Sequence, residues 1–494
     1  MTAPQYGNWV DGREDFEGET HRLTSPADGR EVADVTYGSA STAGRAVEAA
    51  RRAVRSWKNS TLEDRQRLLG RLMEQVQSRA DTYAFLESVN TGKTLRQSTL
   101  MDIPLGIDNL RYFSTTRDLV LERRIEHPEF PGTYGIIQYV PMGVVAGIAP
   151  WNVPFLMAIW KLAPALLAGN AVVLKPSHHT PLTALELGRD ATAVGFPPGV
   201  VNVVAGTGSV VGNALLRDPG VNMVSFTGST TTGLELLGRA GGLKKFTMEL
   251  GGKSPNVVFS DADLDQAAKG VMFGIYLNSG QLCESGSRLI VESTVRDSFL
   301  ERLGQLLDRM RPGNPLDMET DISAITTENQ RRKIASLVDA GVSAGAKIGY
   351  RKELGNLTPP GGLYYPPTVL TDVRDDMVVA REEIFGPVLT VQEFETESEA
   401  VEIANRTEYG LAAGVWTRDL RKAERVAGRV DAGTVWVNEY HLLSAAAPRG
   451  GFKNSGIGRE LGVEGILECT QTRHIFVNPE HNDMDDVAYG LILP

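Results

Sequence analysis

From residue 140 onward, short β-branched runs alternate with helical stretches, and this alternation restricts the possible folds more than any other feature. The runs "GVVAGIAP", "AVVLKP", "GVVNVVAG" and "VNMVSFTG" are each followed by a segment of helical period: "FLMAIWKLAPALLAG", "ALELGRDATAV", "VVGNALLRD" and "TTGLELLGRA". Strand, crossover helix and strand in succession imply a parallel sheet with helices on its faces, an α/β layout of the kind that binds nucleotides. A second series follows, with strands expected at "PNVVF", "RLIVES", "AAGVWT" and "AGTVWVN" and helices at "ADLDQAAKGVMFGIY", "VRDSFLERLGQLLDRM" and "LRKAERVAGRV". It reads as a second α/β domain. Upstream, residues 40–120 carry apolar residues at helical spacing, with Thr61 and Asp64 at a capped helix start. "IIQYVP" near 136 and "TQTRHIFV" read as two further strands that pair outside the main sheets.

One stretch imitates a membrane span. From Phe130 to Trp160 there is no charged residue, but Pro131, Pro141, Pro150 and Pro154 interrupt it. No single helix survives so many breaks, so a strand, a turn and a helix start, all buried, are expected instead. At 494 residues the chain has material for two or three domains, and its net charge of −11 argues against a general nucleic-acid surface. Two cysteines cannot build a disulfide framework, and "MTAPQYGNWVDGRED" has no basic-then-apolar leader. A reducing, cytoplasmic setting is expected.

Two glycine-bearing turns enter helices. They are "VVAGTGSVVG", which contains Gly208, and "VSFTGSTTTG", which contains Gly228, Ser229 and Gly233. Backbone N–H groups at such turns can hold a phosphate, yet neither turn matches G-x-G-x-x-G. The fragments "LGGKSP" and "NTGKT" imitate a P-loop, but Thr247 and Glu87 stand where its first glycine belongs.

Cys283 lies in "SGQLCESGSR", flanked by Gly280 and Gly286. A lone cysteine is often a small buried hydrophobe, and a reactive one needs an oxyanion donor, a base and room for an electrophile. The local spacing does not decide between the two. "PWNVP" (150–154), "KPSHHTP" (175–181), "FTGSTTTG" (226–233), "MELGGKSPNVVF" (248–259), "SGQLCESGSR" (279–288), "EEIFGPV" (382–388) and "GGFKNSGIGRELG" (450–462) widen the view. In content and in order this set resembles the aldehyde dehydrogenase superfamily, over most of the chain.

The resemblance implies a Rossmann-like cofactor domain (1–121 and 141–250), a catalytic α/β domain (251–467) and a small β oligomerisation element (122–140 and 468–494). It implies Cys283 as the nucleophile that captures an aldehyde as a thiohemiacetal, with Asn152 as oxyanion donor. Glu249 is implied as the general base that hydrolyses the thioester, and Glu460 as a proton relay, although Arg459 could simply pair with Glu460. The implied cofactor is NAD or NADP. Lys175 would bind the adenosine ribose, and Gly208, Gly228, Ser229, Gly233 and Leu250 would surround the phosphates and nearby cleft. Glu383 would hold the nicotinamide ribose, and Trp151 and Phe385 would flank the ring. Many NAD-using members place a glutamate three residues after the matching lysine. Here His178 stands there, which removes the usual reason for rejecting a 2′-phosphate.

Val153, Met157, Trp160, Glu284 and Leu443 match the aldehyde tunnel, and Glu284 would either favour a cationic aminoaldehyde or point away. The implied product is a carboxylate, the partner a small aldehyde rather than nucleic acid or membrane, and the assembly a homodimer or homotetramer. Two alternatives stay open. One is a semialdehyde dehydrogenase of a catabolic pathway, which calls for basic residues in the tunnel, where no pair of arginines stands out. The other is a retired enzyme kept as a structural or binding protein. The last fifteen residues, with Asp483, Asp485 and Asp486, are expected either to lack order or to cap a neighbour's cleft.

Overall fold

The computed structural model describes residues 3–479, so the acidic tail lies outside the described residues. Both α/β series form sheets. In the first, five parallel strands stand in the order Lys245–Glu249, Met223–Thr227, Val144–Ile148, Ala171–Lys175, Val201–Val203. Side chains alternate between the two faces, as a pleated strand requires. Val145, Val172 and Leu174 join one apolar cluster, while Val144, Ala146, Ile148, Ala171 and Val173 join the other. Every residue of these five strands is buried except Lys245 and Phe246, which are half-buried. Such strands read as continuous apolar runs because helices cover both faces.

The helix Pro154–Leu167 is buried on all sides, which explains its apolar sequence. It shares a cluster with Leu69, Leu72, Leu110 and Phe113 from the helices Leu62–Ser78 and Ile103–Thr115. The Thr61 hydroxyl accepts from the Asp64 N–H at 3.1 Å, so the expected cap is present.

The second sheet orders its parallel strands Thr368–Thr371, Val388–Phe394, Arg288–Glu292, Pro255–Val258, Ala412–Trp416, Thr434–Val437, with Lys347–Arg351 antiparallel at one edge. A third, antiparallel sheet joins Glu122–Glu126, Tyr134–Pro141 and Thr470–Val477. The charge-free stretch therefore supplies two strands, and Tyr134–Pro141 is mostly half-exposed rather than buried. Its proline and glycines mark where one strand ends and the next begins. The N-terminal strands Gln5–Tyr6, Glu19–Thr24 and Glu31–Tyr37 form a small sheet that the sequence patterns did not suggest.

Two features of this arrangement locate a site. In the first sheet, chain order runs outward from Val144–Ile148 in one direction and then restarts on its other side at Met223–Thr227. A crevice opens beyond the carboxyl ends of two strands related in this way. Secondly, Glu249 ends its strand and only five residues separate it from Pro255, where the second sheet begins. The end of one sheet therefore faces the start of the other across a short glycine-bearing link. A Cβ on Gly252 would sit 2.3 Å from the Cys283 carbonyl oxygen, so only glycine permits that approach.

Candidate active site

Three loops meet where the sheets face each other: 149–153 after Val144–Ile148, the 250–254 link after Glu249, and the cysteine loop before Arg288–Glu292. The cysteine loop turns through Asn278 (φ 49°), Ser279 (φ 50°) and Gly280 (φ 72°). Left-handed backbone at two non-glycine residues is costly and persists only where neighbours hold it. Here Ser279 Oγ donates to the Ser323 carbonyl at 2.7 Å, and the Asn278 N–H donates to Gln97 Oε1 at 3.1 Å. Asn152 Nδ2 donates to the Gln281 carbonyl at 2.7 Å, while Asn278 Nδ2 donates to the Asn152 carbonyl at 3.2 Å. These reciprocal bonds lock Asn152 beside the cysteine loop.

One cavity receives Cys283, Glu249, Asn152, Trp151, Gly228, Ser229, Glu383, Phe385 and all five tunnel residues: Val153, Met157, Trp160, Glu284 and Leu443. Trp151 and Phe385 meet edge to face, with ring centroids 5.3 Å apart. Phe385 has φ 56°, held in place by Gln330 Nε2, which donates to the carbonyls of Ile384 and Phe385. Glu383 accepts the Gly252 N–H at 3.0 Å. Ser229 caps the helix Thr230–Arg239.

Lys175, His178, Gly208, Gly233 and Leu250 stand outside the cavity wall. Lys175 ends the strand next to the switch point, and its ammonium donates to the carbonyls of Pro176 (2.6 Å) and Gly206 (3.1 Å). Burial lowers it to about 8. His178 is half-buried rather than free in solvent, packed on His179 with ring centroids 3.9 Å apart. Burial first, then the neighbouring His179 and Lys175, depress it to about 4, so the ring is neutral near pH 7. A Cβ on Gly233 would sit 2.5 Å from Leu250, so these two pack tightly together. Gly208 opens a π-helical segment, Gly208–Gly212, beside Lys175.

The two carboxylates beside the thiol differ sharply. Glu249 is buried, and desolvation followed by the nearby charge of Glu460 raises it to about 8. Glu284 is also buried, but Arg449 Nη2 donates to its Oε2 at 2.7 Å and His441 Nδ1 lies 3.3 Å from its Oε1. Burial alone would raise Glu284; the Arg449 charge and the His441 contact outweigh it and hold the carboxyl well below its usual range. The Cys283 thiol donates to Glu284 Oε2 at 3.3 Å. Burial pushes the thiol well up, with the adjacent carboxylates adding to it and Arg449 opposing.

Glu460 does not pair with Arg459. It accepts from Lys161 and from Ser225 Oγ (3.1 Å), behind Glu249, while Arg459 bonds the Gly458 carbonyl. Lys161 points from the buried helix that also carries Met157 and Trp160. Glu284 turns into the cavity rather than away. Arg449, His441 and Lys161 went unremarked in the sequence. Arg449 carried a faint signal, a lone arginine directly before "GGFKNSG". His441 and Lys161 carried none.

Comparison with known proteins agrees with this geometry. A model of the aldehyde dehydrogenase family matches residues 9–475. Betaine aldehyde dehydrogenase from Bacillus subtilis (strain 168) is 39% identical over 478 residues, 96% of this chain and 96% of that protein. Among solved structures, betaine aldehyde dehydrogenase from Staphylococcus aureus in complex with NAD+ superposes with a TM-score of 0.93 at 37% identity, over 96% of this chain and 95% of that one. An NAD-dependent aldehyde dehydrogenase from Sinorhizobium meliloti gives 0.93 at 38% identity, over 97% and 96%.

Proposed function

The chain belongs to the aldehyde dehydrogenase family, NAD(P)-dependent oxidoreductases that act on aldehydes, and from that premise we propose that Cys283 is the residue that captures the aldehyde. The observation that carries this is convergence. Asn152, Glu249 and Cys283 come from two loops and a strand end far apart in the sequence, yet line one cavity with a mostly apolar tunnel. In the proposed sequence the Cys283 sulfur bonds the carbonyl carbon while the thiol proton passes to water, and the C=O π pair moves onto the oxygen. The second N–H of the Asn152 amide supports the oxygen as it gains charge; one such donor is worth ~10²–10³ in rate. A nicotinamide held in the switch-point crevice would accept the hydride that this carbon gives up as the adduct becomes a thioester. Glu249 then takes a proton from water as that water attacks the thioester, and returns it to the departing Cys283 sulfur, so that the acid leaves as its carboxylate and the thiol is restored. A base at about 8 suits that task near neutral pH.

The residues present fit a nicotinamide dinucleotide. Gly228 and Ser229 open a helix at the switch point, Thr227 Oγ1 is buried there without a partner, and Glu383, Trp151 and Phe385 stand across the same cavity. Lys175, at the end of the adjacent strand, would hold the adenosine ribose, with Gly208, Gly233 and Leu250 shaping the cleft around it. A neutral His178 neither repels a 2′-phosphate nor supplies a charge to attract one. We therefore expect NADP to serve at least comparably with NAD. Steady-state kinetics with both cofactors tests this, and a preference for NAD beyond about a hundredfold, roughly 2.7 kcal/mol, contradicts it.

The same reading assigns 1–121 with 141–250 to cofactor binding, 251–467 to catalysis, and 122–140 with 468–494 to joining subunits in a dimer or tetramer. Thr470–Val477 supports the last assignment, because its side chains are largely exposed, including Ile475 and Phe476. Among the described residues no helix is long and apolar enough to cross a membrane. The test of the whole proposal is Cys283→Ala. NAD(P)H formation from any aldehyde should vanish, and retained turnover would refute the nucleophile.

A further inference from the structure

The substrate end of the cavity holds two buried hydrogen-bond donors with no partner, Arg449 Nη1 and Trp160 Nε1. Both residues line the cavity and both are at least nine-tenths buried. Their side chains are neighbours, with the Arg449 guanidinium 6.0 Å from the Trp160 ring centroid. A buried donor left unpaired is costly, so two together call for an acceptor. The protein does not supply one. The acid of this end, Glu284, is already engaged by the Cys283 thiol, Arg449 Nη2 and His441 Nδ1. His441 faces acceptors with both ring nitrogens, Glu284 Oε1 at 3.3 Å and the Gly274 carbonyl at 3.0 Å, so it adds no free acceptor.

From these contacts we propose that the enzyme's preferred substrate is a short aldehyde bearing a carboxylate, whose oxygens accept from Arg449 Nη1 and Trp160 Nε1. This deepens, and rests on, the aldehyde dehydrogenase reading of the same cavity. The geometry also limits the spacer. Arg449 Nη2 and the Cys283 sulfur bond the same Glu284 oxygen, at 2.7 and 3.3 Å, so the guanidinium and the nucleophile are separated by one carboxylate atom. A carbonyl carbon on the sulfur and a carboxylate at Arg449 must then be joined by only a few methylenes. Val153, Met157 and Leu443 provide an apolar wall for them. A quaternary ammonium head has no acceptor to offer, and Glu284, the carboxylate next to these two donors, is already neutralised by Arg449. The cavity thus differs in kind from what a trimethylammonium aldehyde needs, despite the identity with betaine aldehyde dehydrogenases.

The experiment compares kcat/KM for succinic semialdehyde, butanal and betaine aldehyde, with NAD and with NADP. Succinic semialdehyde is expected to exceed butanal by at least about tenfold, the scale of a hydrogen bond to a charged group, with betaine aldehyde the poorest. Trp160→Phe keeps an aromatic ring and removes the N–H together with part of the indole, so butanal serves as the control for the lost volume; it should lower the acid-to-butanal ratio about fivefold or more, through KM rather than kcat. Arg449→Met should lower the ratio further, and the Trp160 variant decides the matter if that protein fails to fold. Equal use of succinic semialdehyde and butanal, or a preference for betaine aldehyde, overturns this inference while leaving the aldehyde dehydrogenase reading intact. No turnover of any of the three overturns this inference as well, while the catalytic reading is judged separately by Cys283→Ala with whichever aldehyde the enzyme does oxidise.

Discussion

Glu249 and Glu284 are both buried glutamates on the wall of one cavity, and they face the same sulfur, yet their surroundings drive them in opposite directions. Glu249 stands at the end of a strand with another acid, Glu460, behind it, and is raised to about 8. Glu284 sits next to the thiol in sequence, bound by Arg449 and facing His441, and is held low. Residue type is the same in both; the partners differ. The group with the raised value can exchange a proton near neutral pH, and the group held ionised cannot. Glu249 therefore suits base catalysis, whereas Glu284 suits fixing the charge and geometry around Arg449.

The largest effect should come from the first of the pair. Glu249→Gln is expected to give one rapid burst of NAD(P)H and then stall, with steady-state turnover down ~10²–10⁴-fold. Glu284→Gln should not produce that signature, and identical bursts in both variants would erase the distinction. Next in size is the ion pair. Arg449→Met leaves Glu284 buried with a weaker set of partners and should cost ~3–5 kcal/mol in denaturant unfolding. The double change Glu284→Gln with Arg449→Met should recover a good part of that loss. A double mutant as unstable as the sum of the singles would mean that the two residues do not act as a pair.

The pH dependence of stability separates the glutamates by sign. Glu249 binds its proton more tightly folded than unfolded, so its contribution is present below its ordinary 4.5 and is lost as pH rises through about 8. Glu284 is depressed, so its contribution is present above its ordinary 4.5 and is lost as pH falls through its lowered value. Unfolding curves between pH 5 and 8, a window of about three units, should therefore flatten in Glu249→Gln and not in Glu284→Gln. The smallest expected effect is on the thiol. Because Glu284 helps push Cys283 upward, Glu284→Gln should move the pH profile of Cys283 alkylation toward lower pH. A profile that stays in place would remove Glu284 from the electrostatics of Cys283.

The sequence made one side of this comparison legible and left the other obscure. The parallel sheets were readable because strands covered on both faces leave unbroken apolar runs such as Val144–Ile148 and Ala171–Lys175. Cys283, Glu249 and Asn152 were readable because each sits in a motif whose order along the chain is itself informative. The N-terminal strands escaped, since two residues such as Gln5–Tyr6 are too few to show a period and Glu19–Thr24 is mostly polar. Arg449 and His441 escaped for a different reason. Their meaning lies in contacts with Glu284 across more than 150 positions, at separations of 165 and 157 residues, which no local pattern encodes. The same applies to Lys161, whose partner Glu460 lies 299 residues away in the chain.

The most direct test of the central claim is the intact mass of the Glu249→Gln protein after exposure to an aldehyde and NAD(P). With hydrolysis blocked, one acyl group should remain on the chain, and digestion should place it on Cys283. An unmodified chain after an NAD(P)H burst, or an acyl group on another residue, would contradict the account.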